Sequence, residues 1–220
     1  MNTSDFFYEL PEALIAQTPL ERRDASRLMV LPRSGGEPSH RFFRELPELL
    51  SPGDCLVLND SRVLPARLFG RLSTGGAVEV VLLRDLGDRV WECLTRPGRK
   101  MRPGTRVNFG DAAPGGASLS AEVTNVAAGG NRLLRFEYDG IFLETLERLG
   151  KMPLPPYIRE ELLDAERYQT VYSRETGSAA APTAGLHFTR ELLTAIEARG
   201  VSLAYVTLHV GLGTFRPVKT

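Results

Sequence analysis

The sequence predicts an α/β protein interrupted by an all-β domain, and three observations predict it. Strand and helix patterns are mixed up to about Pro65, strands separated by turn residues run from there to Tyr138, and helix followed by strand returns after Ile141. The expected layout is a discontinuous α/β domain over residues 1–64 and 151–220, with a β domain over residues 65–150 inserted into it. No internal repeat is evident.

Taken in order, Pro11 to Gln17 reads as a short helix opened by a proline, and Arg27 to Leu31 as a strand ended by Pro32. A helical piece around Leu46 to Leu50 precedes the turn Pro52-Gly53-Asp54. Cys55 to Leu58 follows, an apolar run of the kind that lies in a sheet covered on both faces. The middle strands are Ala66 to Leu72, Ala77 to Arg84, Arg89 to Thr95, Arg106 to Phe109, Leu119 to Val126 and Arg132 to Tyr138. Gly129-Gly130-Asn131 joins the last two as a hairpin, and strands of this spacing suit a small barrel or sandwich. Ile141, Phe142, Leu146 and Leu149 mark a helix stopped by Gly150. A second helix starts at Thr189 as N-cap, places Leu192, Leu193 and Ile196 on one face, ends at Gly200 and leads into strand Val201 to Val210. That strand needs neighbours on both edges, which Gly211 to Thr220 does not supply, so further chain is expected beyond Thr220.

In 220 residues, 27 Lys and Arg balance 27 Asp and Glu, so overall charge predicts no polyanion partner and any nucleic-acid contact must rest on a local patch. Arg96, Arg99, Lys100, Arg102 and Arg106 form one in a turn-rich loop without an acid; its plainer reading is a solvated loop. Cys55 and Cys93 sit in apolar runs with no Cys or His at metal-ligand spacing, so both are expected as buried, reduced thiols and the location as cytoplasmic. Residues 1–17 lack a basic leader and no apolar run approaches a membrane span. Gly211-Leu212-Gly213 follows a strand, but Arg216 breaks the dinucleotide fingerprint. Phosphate loops, nucleophile elbows and metal-binding histidine pairs are missing from the sequence.

The most informative stretch runs from Tyr168 to Thr189. Its Gly and Ala remove bulk, and its Ser and Thr supply short hydrogen-bonding groups, as a loop approaching a ligand requires. Asn59-Asp60-Ser61-Arg62 closes an apolar strand, where open α/β sheets bind ligands. His187 and His209 flank one helix. Imidazoles and carboxylates in such places suit proton transfer, the alternative for each being a hydrogen-bonded structural role. Arg22-Arg23-Asp24-Ala25-Ser26-Arg27 is either an anion clamp or a local Arg-Asp network.

These residues together resemble the S-adenosylmethionine:tRNA ribosyltransferase-isomerase family of queuosine biosynthesis. The blocks that carry the resemblance are Phe7-Tyr8-Glu9-Leu10-Pro11, Arg23-Asp24-Ala25-Ser26-Arg27-Leu28, Asn59-Asp60-Ser61-Arg62-Val63, Arg96-Pro97-Gly98-Arg99-Lys100, Met152-Pro153-Leu154-Pro155-Pro156-Tyr157, Tyr168 to Thr189 and Val206-Thr207-Leu208-His209-Val210-Gly211 with Gly213-Thr214-Phe215. The resemblance implies a barrel-like α/β domain, incomplete here, with an inserted small β-barrel. It implies a reaction without a cofactor in which S-adenosylmethionine is consumed. The ribosyl part passes to the aminomethyl-deazaguanine (preQ1) wobble base of tRNA, giving epoxyqueuosine and releasing adenine and methionine.

On that resemblance Asp60, His187 and His209 are candidates for proton transfer. Asn59, Ser61, Arg62, Pro182, Thr183, Ala184 and Gly185 are candidates for the S-adenosylmethionine site, and Arg96, Arg99, Lys100 and Arg102 for tRNA contact. Expected partners are therefore tRNA and S-adenosylmethionine, with no membrane or metal and a monomer when complete. Three other readings remain open, an RNA-binding module without chemistry, an inactive fragment of that enzyme and a small-molecule enzyme of another class.

Overall fold

The computed structural model describes residues 2–110 and 119–211. The chain divides into two compact units, one of Met1–Arg62 with Leu154–Thr220 and the other of Val63–Pro153.

In the first unit, β1 (Arg27–Val30) pairs antiparallel with β2 (Ser39–Phe42), and the short helical turn Phe43–Leu49 leads to β3 (Cys55–Asn59). The strand β4 (Ser61–Val63) carries the chain into the second unit.

There β5 (Arg67–Leu72), β6 (Ala77–Asp85), β7 (Val90–Arg96), β8 (Arg106–Phe109), β9 (Leu119–Val126) and β10 (Arg132–Tyr138) close into an antiparallel barrel, in the order β10-β7-β6-β5-β8-β9. The mixed α/β class with a closed β-barrel is thus present. Every second residue points inward: Val78, Val80 and Leu82 on β6, Trp91 and Cys93 on β7, Val107 and Phe109 on β8, Leu134 and Phe136 on β10. Register shifts in β6–β7 and β9–β10 add the local bend that closure of a small barrel needs. Gly70 faces inward between Leu68 and Leu72, and Val107 Cγ1 and Asn108 O lie 2.7 Å from where its Cβ would be, so the β5–β8 approach admits only glycine there. The helix α1 (Phe142–Leu149) adds fully buried Leu146, with Phe142 and Leu149 packed beside it. β7 starts at Val90 rather than at Arg89, because Asp88 and Arg89 turn with φ of 50° and 62°.

Back in the first unit come β11 (Glu175–Ser178), α2 (Arg190–Ala198) and β12 (Ser202–Val206). Thr189 Oγ1 accepts the Leu192 N–H at 3.1 Å as the expected N-cap, and Leu192, Leu193 and Ile196 pack with Phe43, Leu58, Phe188 and Val201. β12 pairs parallel with β3, Ser202 opposite Cys55 and Val206 opposite Asn59.

Four expectations need correction. The helix over Pro11 to Gln17 is a single turn, Glu12–Leu14, with all three residues exposed; a short segment with no face to bury does not sustain a helix. Cys55 is exposed and only Cys93 is buried. The β3 run is not covered on both faces either: Leu58 is buried while Val57 is 59% exposed. The last strand ends at Val206, not Val210, and the reading of the tail from Leu212 to Thr220 lies outside the described residues.

Candidate functional site

A parallel pair delivers both of its following loops to the same edge. After Asn59 and Val206, which are opposite in register, Asp60–Arg62 and Thr207–His209 run side by side. The Asp60 N–H donates to Val206 O at 3.0 Å. Beyond that point the Asn59 side chain replaces the missing ladder, its Nδ2 donating to Leu208 O at 2.8 Å and its Oδ1 accepting from Leu208 N at 3.0 Å and Ser61 N at 3.1 Å. That substitution ends β12 early. A third segment joins from β11, which lies beside the Ser61 end of β4, and the Ala179 N–H donates to Val210 O at 2.9 Å.

Asp60 sits at the centre of this convergence and is 1% exposed. Arg174 Nη2 donates to its Oδ2 at 2.6 Å with Nε at 3.2 Å, Thr207 Oγ1 donates to its Oδ1 at 2.7 Å, and its carbonyl accepts from Arg174 N at 2.8 Å. The hydrogen bond from Arg174, then that from Thr207, holds the Asp60 carboxyl below the usual carboxylate range, and the hydrogen bond to Asp60, then the Asp60 charge, raises Arg174. Both carboxylate oxygens are engaged, so the group is a charge that orders three loops.

The linkage follows in sign. A carboxyl with a depressed folded pKa contributes stability above its unfolded value of about 3.9, and that contribution is lost as pH falls through the folded value. The difference in Tm between the parent chain and an Asp60→Asn variant is therefore expected to be largest near pH 7 and to shrink below about pH 4. A thermal-melt series from pH 7 to pH 3 in which that difference stays constant contradicts the assignment.

Next to Asp60 a second network forms. Ser61 Oγ lies 2.5 Å from Ser178 Oγ and 2.9 Å from His209 Nδ1, while Ser178 Oγ accepts the Val210 N–H at 2.8 Å. Ser61 and Ser178 are buried and His209 is exposed. Gly177 presses on the imidazole: a Cβ there would be 2.6 Å from Cε1.

Arg62 forms an ion pair with Glu166 and donates to Ser173 Oγ at 3.1 Å. It lines a cavity of about 270 Å³ with Arg23, Thr170, Val171, Ser173 and Arg190. A larger open groove, about 590 Å³, runs along Tyr172, Arg174, Arg190, Leu193, Leu203 and Tyr205.

Asn59, Asp60, Ser61 and His209 are thus brought together, with Arg62 following on the same segment. His187 and the Pro182–Gly185 residues belong to a separate turn, Thr183–His187. Thr183 and Ala184 are exposed, Pro182 is half-buried, and Gly185 is buried where the Tyr172 hydroxyl fills the space of a Cβ. Burial, then the neighbouring Tyr205, pushes the Tyr172 phenol up to about 12. The half-buried His187 ring meets Phe43 at 5.2 Å. Among the described residues no hydrogen bond, ion pair or ring contact joins it to Asp60 or His209; a series of ring contacts runs from Phe43 through Phe188 and Tyr172 to Tyr205, over which Arg174 lies at 5.7 Å.

In the N-terminal arginine cluster Arg22 keeps a local partner, while Arg23 reaches segments far along the chain. Arg23 donates to the carbonyls of Gln169 (2.7 Å), Leu186 (3.2 Å) and Glu166 (2.7 Å), and Arg22 pairs with buried Asp24 at 3.1 Å. Burial lowers the Arg23 pKa.

In the barrel unit, Arg96, Arg99, Lys100 and Arg102 are all exposed, and none forms an ion pair among the described residues. The loop that carries them is nevertheless fixed. Met101 is fully buried, and Arg132 donates Nε to Met101 O at 2.9 Å and Nη2 to Gly98 O at 2.5 Å. Among the described residues no group of His, Cys, Asp and Glu could hold a metal ion, and no helix is long and apolar enough to cross a membrane.

Sequence reasoning did not find Arg174, Thr207, Ser178 or Arg132. Arg174 and Ser178 lie inside the stretch it singled out, but their partners Asp60 and Ser61 are more than a hundred positions away.

Comparison with known proteins places these observations. The family model described as queuosine biosynthesis protein matches residues 3–220. The S-adenosylmethionine:tRNA ribosyltransferase-isomerase of Acetivibrio thermocellus is 60% identical over 220 residues, which is all of this chain and 63% of that protein. The chain therefore spans less than two thirds of the relative's length. The crystal structure of S-adenosylmethionine tRNA ribosyltransferase from Thermotoga maritima shares 38% identity, with 95% of this chain and 59% of the other covered at a TM-score of 0.39.

Proposed function

This chain belongs to the queuosine biosynthesis protein family, and from that premise we propose that it carries the transfer and isomerisation of the ribosyl moiety of S-adenosylmethionine onto the preQ1 wobble base of tRNA. The product is epoxyqueuosine-tRNA, with adenine and methionine released. The observation that carries the reading is 60% identity, across every one of the 220 residues, with a protein named for this activity.

The sulfonium of the donor acidifies its adjacent carbon, so a positioned general base removes a proton there and the electrons expel adenine, which takes up a proton; the neutral amine of the wobble base then bonds to the ribosyl carbons and gives up a proton, and the C–S bond breaks to release methionine as the neutral thioether. Asn59, Ser61 and Arg62 with Pro182 to Gly185 form the donor site in this reading. Asp60, tied to Arg174 and Thr207, orders the loops; His209 and His187 supply the ligand-facing imidazoles. No cofactor or metal takes part, and the complete protein works as a monomer in the cytoplasm.

The loop of Arg96, Arg99, Lys100 and Arg102 contacts anticodon-arm phosphates. Four exposed cations that form no ion pair among the described residues, carried on a fixed loop, are suited to this, since a preordered site loses little entropy on binding. Replacing Arg99 and Lys100 together with alanine is expected to weaken tRNA binding at every sequence and to reduce the slope of log K against log salt by roughly 1–2. Filter binding at several salt concentrations measures it, and an unchanged slope refutes the contact.

The decisive assay is adenine release from S-adenosylmethionine with and without preQ1-tRNA, run on this chain and on the full-length Acetivibrio thermocellus relative. Release that depends on modified tRNA supports the reading. Retention of tRNA by both proteins without release favours an RNA-binding module.

A further inference from the structure

We propose that Ser178, acting through Ser61, is a positioning residue that holds His209 in the tautomer with its proton on Nε2, so that the exposed side of the ring offers a ligand a hydrogen-bond donor. The assignment comes from counting protons in a closed chain. Ser178 is 0% exposed and its oxygen already accepts the Val210 N–H, so its own hydroxyl proton has one acceptor within reach, Ser61 Oγ at 2.5 Å. Ser61, 1% exposed, has then accepted one bond and must place its proton on the remaining neighbour, His209 Nδ1 at 2.9 Å. A nitrogen that accepts from Ser61 carries no proton, and the neutral ring must bear it on Nε2. The opposite tautomer reverses both hydroxyls and strands the Ser178 proton in a site that water does not reach.

The ring is also fixed in space. Asn59 holds Leu208 on one side of it and Ser178 holds Val210 on the other, while Gly177 closes on Cε1. The direction of the chain therefore begins at a backbone N–H and ends at the exposed edge of an imidazole. Given the reading that this edge receives the donor substrate, His209 serves there as a donor to an acceptor atom such as a ribose hydroxyl or a carboxylate, and its outer nitrogen is not the base.

Two-bond ¹⁵N–¹H correlation spectra of the labelled chain test this, with the His209 signals assigned by their loss in His209→Gln. The parent chain is expected to show the neutral ring in the Nε2–H form. In Ser178→Ala the Ser61 hydroxyl is free to turn, and the ratio of Nε2–H to Nδ1–H is expected to fall by about tenfold. A parent chain with the proton on Nδ1 overturns the proposal without any variant, and so does a ratio that Ser178→Ala leaves unchanged. Failure of adenine release would count against the proposed function while leaving this ratio where it is, so the two tests fail separately.

Discussion

Truncating Phe136 to alanine is expected to destabilise the barrel unit by about 3–5 kcal/mol. The ring is fully buried, stacks on Phe109 at 6.0 Å and meets Phe142 of α1 at 5.4 Å. Removing it leaves a cavity bounded by strands that closure prevents from moving inward, so little of the volume can be recovered. It also takes one of three aromatic supports from Phe142, leaving Trp91 at 5.7 Å and Tyr138 at 4.8 Å. Trp91 is the sole tryptophan of the sequence and belongs to the barrel core, so its fluorescence during urea unfolding reports on this unit alone. The midpoint should fall with an unchanged m-value. A loss below about 1 kcal/mol would mean that the inner layer is not packed as described.

The barrel is also the part of the fold most legible in the sequence. Its strands alternate with period two and are punctuated by turn residues, and both kinds of information are local. Leu119 to Val126 and Arg132 to Tyr138 were readable to the residue because Gly129-Gly130-Asn131 marks their hairpin. Helix α2 was readable from its cap at Thr189 and its apolar stripe. The first unit was harder. The end of β12 depends on the Asn59 side chain imitating a backbone neighbour for Leu208, and an amide in a loop carries no signal of that role.

The candidate site was legible in part for the same reason. Asn59 to Arg62 and His209 could be marked because they follow apolar strands, and the parallel register of β3 and β12 brings them together. Nothing local indicated that Asp60 would be saturated by Arg174 and Thr207, since a charged residue in a loop reads as solvated. The proton count through Ser61 and Ser178 depends on burial and on distances between segments far apart in sequence. Cys55 failed through the converse error, because an apolar neighbourhood in sequence does not guarantee a covered one in space.

Under the proposed function, these constraints bear on which group takes the proton, and they favour His187. Substituting it with alanine is expected to lower kcat for adenine release by about 10²–10⁴, the usual contribution of a positioned general base. Asp60 is a poor candidate for that task, because both of its oxygens accept strong hydrogen bonds that protonation would break. His209 has its inner nitrogen on Ser61 and, by the proton count, a hydrogen on its outer one. His187 has neither restriction. Its ring meets Phe43, it sits on the turn that follows the small Ala179-Ala180-Ala181 run, and the Arg23 bond to Leu186 O at 3.2 Å steadies that turn. Because proton abstraction belongs to the chemical step, the loss should appear in kcat with KM for S-adenosylmethionine little changed. His187→Gln keeps a polar side chain of similar reach but has no ring nitrogen to take up a proton, and should be as slow as alanine. Turnover that survives both substitutions would exclude His187 as the base and leave its contact with Phe43 as its role.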